Sequence, residues 1–445
     1  MLPLVGVPPT IASLLSEYRD IFCREEGFAH VSRYVSGLLL SGNKTLQGIY
    51  GNQVFLKPVS RRAMHEAVFE AGWDSEGLMP RHRALVAPQH RDRGREVIGL
   101  DWTFAHHEKG SKIFGVKRAY DYVEKKMSRY QTVVTAVIAN REYIDGLEVV
   151  VQRPRYEEEE KAYLKMTAHK SYEQMEKVWQ RLAELLHYQK NRLAYRKRTE
   201  IAVDIVKQLE EEGHFPEANY AFDSGVLSIQ LTQLIEDKGK HWVSEVERNR
   251  LINWVGEWRR VDAVASELKS SQPESFRRVQ VKSRNGKEKL FWTFSRTIRL
   301  KKYGRKRLVI VHEQEDLSDE PRFLLADALH WESGRIIETW TYRWPTEIFH
   351  EFTKQVTGLE SAQVRNEEAV KRHFRLSCVA QSLLQRAACS GGKSERFEFA
   401  EGRQTVGQKL YSLTREALGQ LLDLVQGMLN ANRSPEQVLE VLMPA

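Results

Sequence analysis

Two short apolar runs that each close on an aspartate, VIGLD at Asp101 and NYAFD at Asp223, constrain the fold of this chain more than any other feature. A strand in an open α/β sheet carries the residue at its C-terminal end into the crevice where such sheets bind ligands. Between the two runs, Ile201, Ile205 and Leu209 recur at four-residue intervals, the stripe of a helix that packs on a sheet. Strands separated by amphipathic helices point to the α/β class. Two carboxylates held at strand ends would then converge, if the fold brings those ends together.

A third acid belongs to WTYRWPTEIFHEFTKQ, residues 340–355. Pro345 suits the first turn of a helix, where its missing N–H is not needed, and Ile348, Phe349 and Phe352 continue an apolar stripe. Glu347 then lies near a helix N-terminus, and Lys354 follows two turns later on the same face. A hard-metal carboxylate and a phosphate-binding ammonium can share an extended substrate in this way. Taken alone, such Glu/Lys pairs are commonly solvated surface.

These residues resemble a known family. Arg343, Glu347 and Lys354 fall in register with the signature of tyrosine, two residues, arginine, three residues, glutamate, six residues and lysine. That signature marks the DDE transposases of bacterial insertion sequences, here the IS4-like group and most closely its IS701-like branch. Trp340 takes the tyrosine position, with Tyr342 nearby but out of register. IGLDWTF and GVKRAY resemble the first-aspartate region, and FDSGVLSIQLTQLIEDKGKHWVSEVERNR the second. The resemblance covers roughly residues 20–390 and departs from the family at Gly225, where a large aromatic is common. It implies an RNase H-like catalytic core, with Asp101, Asp223 and Glu347 as catalytic residues holding two Mg²⁺ ions, Mn²⁺ being a substitute. Arg343, Lys354, Asn249, Arg250, Lys117 and Trp340 are expected to support DNA or the active site.

At 445 residues the chain is long enough for a large core and more than one domain. A net charge of +8 and a pI near 9.1 permit nucleic-acid binding without establishing it. Mean hydropathy of −0.52 and the lack of any long apolar run argue against a membrane span. Cys23, Cys378 and Cys389 have neither disulfide nor zinc spacing, and the N-terminus lacks a leader pattern, so a cytoplasmic location is expected.

Five segments are expected. Residues 1–90 form a helical N-terminal domain, DNA-binding by resemblance, with a helical cap on the core as the alternative. Residues 91–250 begin the core, with REVIGLD, SKIFGVKR and QTVVTAVIA as three successive antiparallel strands. Residues 251–335 are a β-rich insertion, 336–390 complete the core around the Glu347 helix, and 391–445 form a C-terminal helical region. His106 and His107 read as surface histidines and the EEEE run at 157–160 as solvated. SGGKS at 390–394 is not a complete P-loop, so no ATP is expected.

The insertion holds the strongest charge signal. From Arg277 to Arg307, thirteen Lys or Arg stand against one acid, a local charge of +12. The basic residues are Arg277, Arg278, Lys282, Arg284, Lys287, Lys289, Arg296, Arg299, Lys301, Lys302, Arg305, Lys306 and Arg307, around an NG turn at Asn285. Phe291, Trp292 and Phe294 interleave with them, either to stack on bases or to form a small core. The expected partners are double-stranded DNA, as transposon terminal inverted repeats and target, with a homodimer on the DNA. A non-catalytic DNA-binding descendant and a non-transposing nuclease are the alternatives.

Overall fold

The computed structural model describes residues 3–91, 93–110, 112–122, 124–167, 175–284, 286–389 and 404–443. Its centre is one mixed sheet of twelve strands flanked by helices. The strands are β1 (Val97–His106), β2 (Lys117–Asp121), β3 (Lys126–Ala139), β4 (Ile144–Val151), β5 (Asn219–Phe222) and β6 (Trp242–Glu245). They continue with β7 (Leu251–Trp254), β8 (Glu257–Arg260), β9 (Arg277–Lys282), β10 (Glu288–Leu300), β11 (Gly304–His312) and β12 (Arg322–Ala326).

β3 lies antiparallel to β1 and carries β2 and β4 end to end along its other edge. β1 runs parallel to β5, and β5 parallel to β6. Of the described part of SKIFGVKR only Lys117 and Arg118 are strand, at the start of β2, and the three strands do not lie side by side in chain order because β3 sits between β1 and β2. β4 was not anticipated: IDGLEVVV has little polar alternation, and it is buried almost throughout. The NYAFD strand ends at Phe222, immediately before Asp223, whereas β1 passes Asp101 and runs five residues further. Antiparallel pairing with β3 sustains that extension as far as His106 opposite Tyr130.

Side chains alternate across the sheet. Ile98 and Leu100 enter the core with Ile201, Ile205 and Leu209 of the helix Arg198–Glu212. Val97 and Ala221 enter the opposite core with Phe349, from the helix Trp344–Gln355. By the same alternation Asp101 and Asp223 belong to the face bearing that second helix.

Residues 251–326 extend the sheet, because β12 pairs antiparallel with β6. β9 and β10 form the expected antiparallel pair, while Asn285 of the NG turn lies outside the described residues. Phe291 is buried in a core with Val281, Val309 and Ile336, and Trp292 and Phe294 pack against the main core, so these aromatics serve the fold. Helices of the first ninety residues share a core with the C-terminal ones: Ile11, Leu38 and Val68 pack with Val379, Leu383 and Leu413. Of the EEEE run, Glu160 is buried and paired with Arg192 at 2.9 Å rather than solvated. SGGKS lies outside the described residues. Among the described residues, no helix is long and apolar enough to cross a membrane.

Candidate active site

The parallel register of β1 and β5 sets Leu100 beside Phe222, so Asp101 and Asp223 follow at adjacent strand positions. Neighbouring strands lie about 4.8 Å apart. Two aspartates some 120 residues apart in sequence are thus brought side by side. The helix Trp344–Gln355 lies across this face with Pro345 and Glu347 in its first turn. Arg343, at its N-cap, links its own helix to β1: its guanidinium is 2.5 Å from Glu347 Oε1 and 3.5 Å from Asp101 Oδ2.

Close approach of helix to strand requires Gly99. A Cβ at that position would lie 2.1 Å from Thr346 Oγ1, the residue before Glu347. Gly99→Ala is expected to push the helix off the sheet and to destabilise the protein by about 1–3 kcal/mol, as overpacking does. Urea unfolding checks the stability, and a wild-type midpoint would show that Thr346 gives way freely. His350 secures the same contact one turn on. Its Nε2 is 2.8 Å from Thr135 Oγ1, whose hydroxyl donates to the Asp101 carbonyl at 3.3 Å. Burial, with Lys354 and Arg343 nearby, pushes the His350 imidazole down to about 3, so it stays neutral at ordinary pH.

The electrostatics are those of crowded carboxylates. Burial, then the Asp223 charge, raise Asp101 to about 7, with Glu347 adding to the shift. The Trp102 N–H, 2.8 Å from Asp101 Oδ1, and Arg343 oppose it. Asp223 Oδ1 accepts the backbone N–H groups of Gly225 and Val226 at 3.0 and 3.1 Å, which fixes its rotamer. Glu245, at the end of β6, was missed in the sequence. Burial raises its pKa, against the pull of Arg322 and Arg343, and Asp223 is among the charges it feels. Its only sequence signal is a carboxylate closing the next strand.

The chain matches the family model of the DDE superfamily endonucleases over residues 17–274, more than half its length. The chain belongs to the DDE superfamily of endonucleases. The match contains Asp101 and Asp223 and ends before Glu347. No curated protein matches the sequence. As a DDE-superfamily member the chain is expected to work on nucleic acid, and a group of His106, Asp121 and Glu124 able to hold a metal ion is also present.

The other expected site residues divide. Trp340 is half-buried, its ring 5.0 Å from the Arg322 guanidinium and 5.8 Å from that of Arg343, so it helps to place Arg343. Lys354 turns to Glu360 at 3.4 Å. Lys117 lies over the Tyr130 ring, the Arg250 charge acts on Tyr303, and Asn249 is exposed on a turn. Among the described residues, no hydrogen bond or ion pair joins these last three to the acids. The Gly225 departure also has a local cause: a Cβ there would lie 2.7 Å from the Trp102 indole, which stacks 3.9 Å from the Arg198 guanidinium.

The basic segment is largely exposed, with one correction. Lys306 is buried, 3.1 Å from Glu236 and over the Trp242 ring, because β11 turns that position inward. Arg284 and Arg307 are half-buried, and Arg284 donates to the Asn140 carbonyl at 2.5 Å. The other ten basic residues are exposed, although Lys289 pairs with Glu313 at 2.7 Å. His106 and His107 are not free surface histidines either. His107 is buried against Gln131 at 2.7 Å, and His106 pairs with Asp121 at 2.6 Å.

Proposed function

We propose that this chain is a DNA transposase of the IS4-like group, close to its IS701-like branch, with Asp101, Asp223 and Glu347 as its catalytic acids. The observation that carries this reading is the meeting of three carboxylates from three distant segments on one face, with Arg343 between two of them. The strand order β4, β3, β1, β5, β6, antiparallel then parallel, supports an RNase H-like core.

The donor set suits hard divalent ions. Burial, and then the negative charge of Asp223, hold Asp101 at about 7 against the pull of Arg343, and all the donors are carboxylate oxygens. Asp101, Asp223 and Glu347 would hold Mg²⁺, or Mn²⁺ in its place. Bound there, a pair of ions would make water a better nucleophile and stabilise the departing 3′-oxygen. The chain's own residues orient this site: Arg343 aligns two acids, and the N–H groups after Asp223 fix the third. The middle of β1, the end of β5 and a helix packed on the sheet hold these groups in place without substrate.

The DNA would be contacted by the exposed part of the basic segment, with the first ninety residues as a second contact on terminal repeats. Replacing Arg299, Lys301, Lys302 and Arg305 with neutral polar residues is expected to weaken duplex binding. Each phosphate that is no longer neutralised flattens the slope of log affinity against log salt by about 0.9, so four such phosphates account for roughly 3–4. An unchanged slope in a folded variant would assign this charge to solubility.

The deciding experiment is joining of a pre-cleaved donor end to a second duplex in Mg²⁺. Sequence-specific joining supports the transposase. Cleavage without joining would favour a nuclease, and binding without either a DNA-binding descendant.

A further inference from the structure

Away from the acid cluster, one group of side chains is arranged as metal ligands are. His106 at the end of β1, Asp121 at the end of β2 and Glu124 in the turn into β3 place one imidazole nitrogen and two carboxylate oxygens within 4.8 Å of one another. Asp121 is fully buried, with Oδ2 2.6 Å from His106 Nε2, and Oδ1 accepts the Glu124 backbone N–H at 3.1 Å. Glu124 Oε1 stands 4.0 Å from the same His106 nitrogen. The donors therefore gather on the Nε2 side of the ring.

The other side is held as well. His106 Nδ1 is 3.4 Å from Glu360 Oε1, which also accepts the His106 backbone N–H at 3.1 Å. A histidine that gives one nitrogen to an ion commonly directs the other to a carboxylate, which fixes tautomer and orientation. Glu360 in turn pairs with Lys354, on the helix that carries Glu347.

We propose that His106, Asp121 and Glu124 bind one divalent transition-metal ion, Zn²⁺ or Mn²⁺, at a site distinct from the acid cluster and braced by Glu360. His106 lies five residues beyond Asp101 along β1, about 17 Å at strand rise, too far for a shared ion. An imidazole donor favours such ions over Mg²⁺, and three protein ligands leave a position for water. His106 Nε2 and Asp121 Oδ2 hydrogen-bond directly at 2.6 Å, and Glu124 pairs with Lys126 at 2.9 Å. An ion seated there would replace the direct His106–Asp121 hydrogen bond and draw Glu124 away from Lys126. The ion would then tie the β2–β3 turn to β1 and, through Glu360, to Lys354. None of this depends on the transposase reading.

The test is calorimetric titration of Zn²⁺, and separately Mn²⁺, into the full chain carrying Asp101→Asn and Glu347→Gln, which weakens competing binding at the acid cluster. One equivalent of saturable binding is expected. In that background His106→Ala should abolish it, Glu124→Gln weaken it roughly tenfold or more, and Glu360→Gln weaken it by about 10–100-fold. Co²⁺ should give visible bands of an imidazole-ligated site that are lost in His106→Ala, with circular dichroism confirming the fold. Should His106→Ala misfold, the partly exposed Glu124→Gln and Glu360→Gln decide. No saturable binding below millimolar ion, or equal affinity in all folded variants, would overturn the proposal and mark any binding as adventitious.

Discussion

Glu347→Gln is expected to lower donor cleavage in Mg²⁺ by orders of magnitude while leaving folding and DNA binding near wild type. Gln keeps the length and hydrogen-bonding reach of Glu but not the ionic oxygen that a hard cation needs. The side chain is only partly buried, and its partner Arg343 also faces Asp101, so the neutral variant strands no fully buried charge. Joining of a pre-cleaved 3′ end should fall with cleavage, because on the proposed reading one acid set serves both transfers. Lys354→Ala should have a smaller effect, since that ammonium now pairs with Glu360. The assay is end binding, cleavage and joining measured separately for the wild type and both variants. Wild-type rates for both reactions in Glu347→Gln would remove Glu347 from the site.

Arg386→Ala should give the largest loss of stability, about 3–5 kcal/mol, because it strands a buried carboxylate. Asp145, at the start of β4, is fully buried and takes both guanidinium nitrogens of Arg386 at 2.7 and 2.9 Å, with His90 at 2.8 Å. Burial alone would raise the Asp145 carboxyl, but Arg386 and His90 outweigh it and hold it well below the usual range. The pair also joins the sheet to the end of the helix Glu367–Arg386. The sign with pH follows from the depressed value. The stabilisation is fully present above the ordinary aspartate value near 3.9 and is lost as pH falls through the lower folded value. Urea midpoints at pH 7 measure the cost of Arg386→Ala, and acid titration of the wild type should show Asp145 protonating only on unfolding. Replacing both partners with apolar residues should recover part of the loss. A midpoint within error of wild type for Arg386→Ala would show that the pair adds nothing.

Some of this was legible before the fold was known. VIGLD and NYAFD are strands because apolar β-formers fill a sheet covered on both faces, and Trp344–Gln355 is a helix because its proline and its stripe agree. Residue type was a weaker guide to exposure. Lys306 belongs to a run of basic residues, yet β11 points it inward to Glu236 and Trp242. A charge run records composition, whereas burial of each side chain depends on strand phase and on what faces it.

The sequence by itself determined most local elements and the charge excess of the 277–307 segment, since each of these depends on neighbours within a turn or a strand, while the family resemblance named three acids to look for. Only the tertiary structure decided which groups meet. The β1–β5 register set Asp101 beside Asp223, Gly99 let the Glu347 helix close on them, and β6 added Glu245. The same holds for His106, whose partners Asp121, Glu124 and Glu360 come from a hairpin and from the segment after the Glu347 helix. Spacing along a chain cannot encode such meetings, because strand order and register are settled by the burial of whole faces rather than by any single residue.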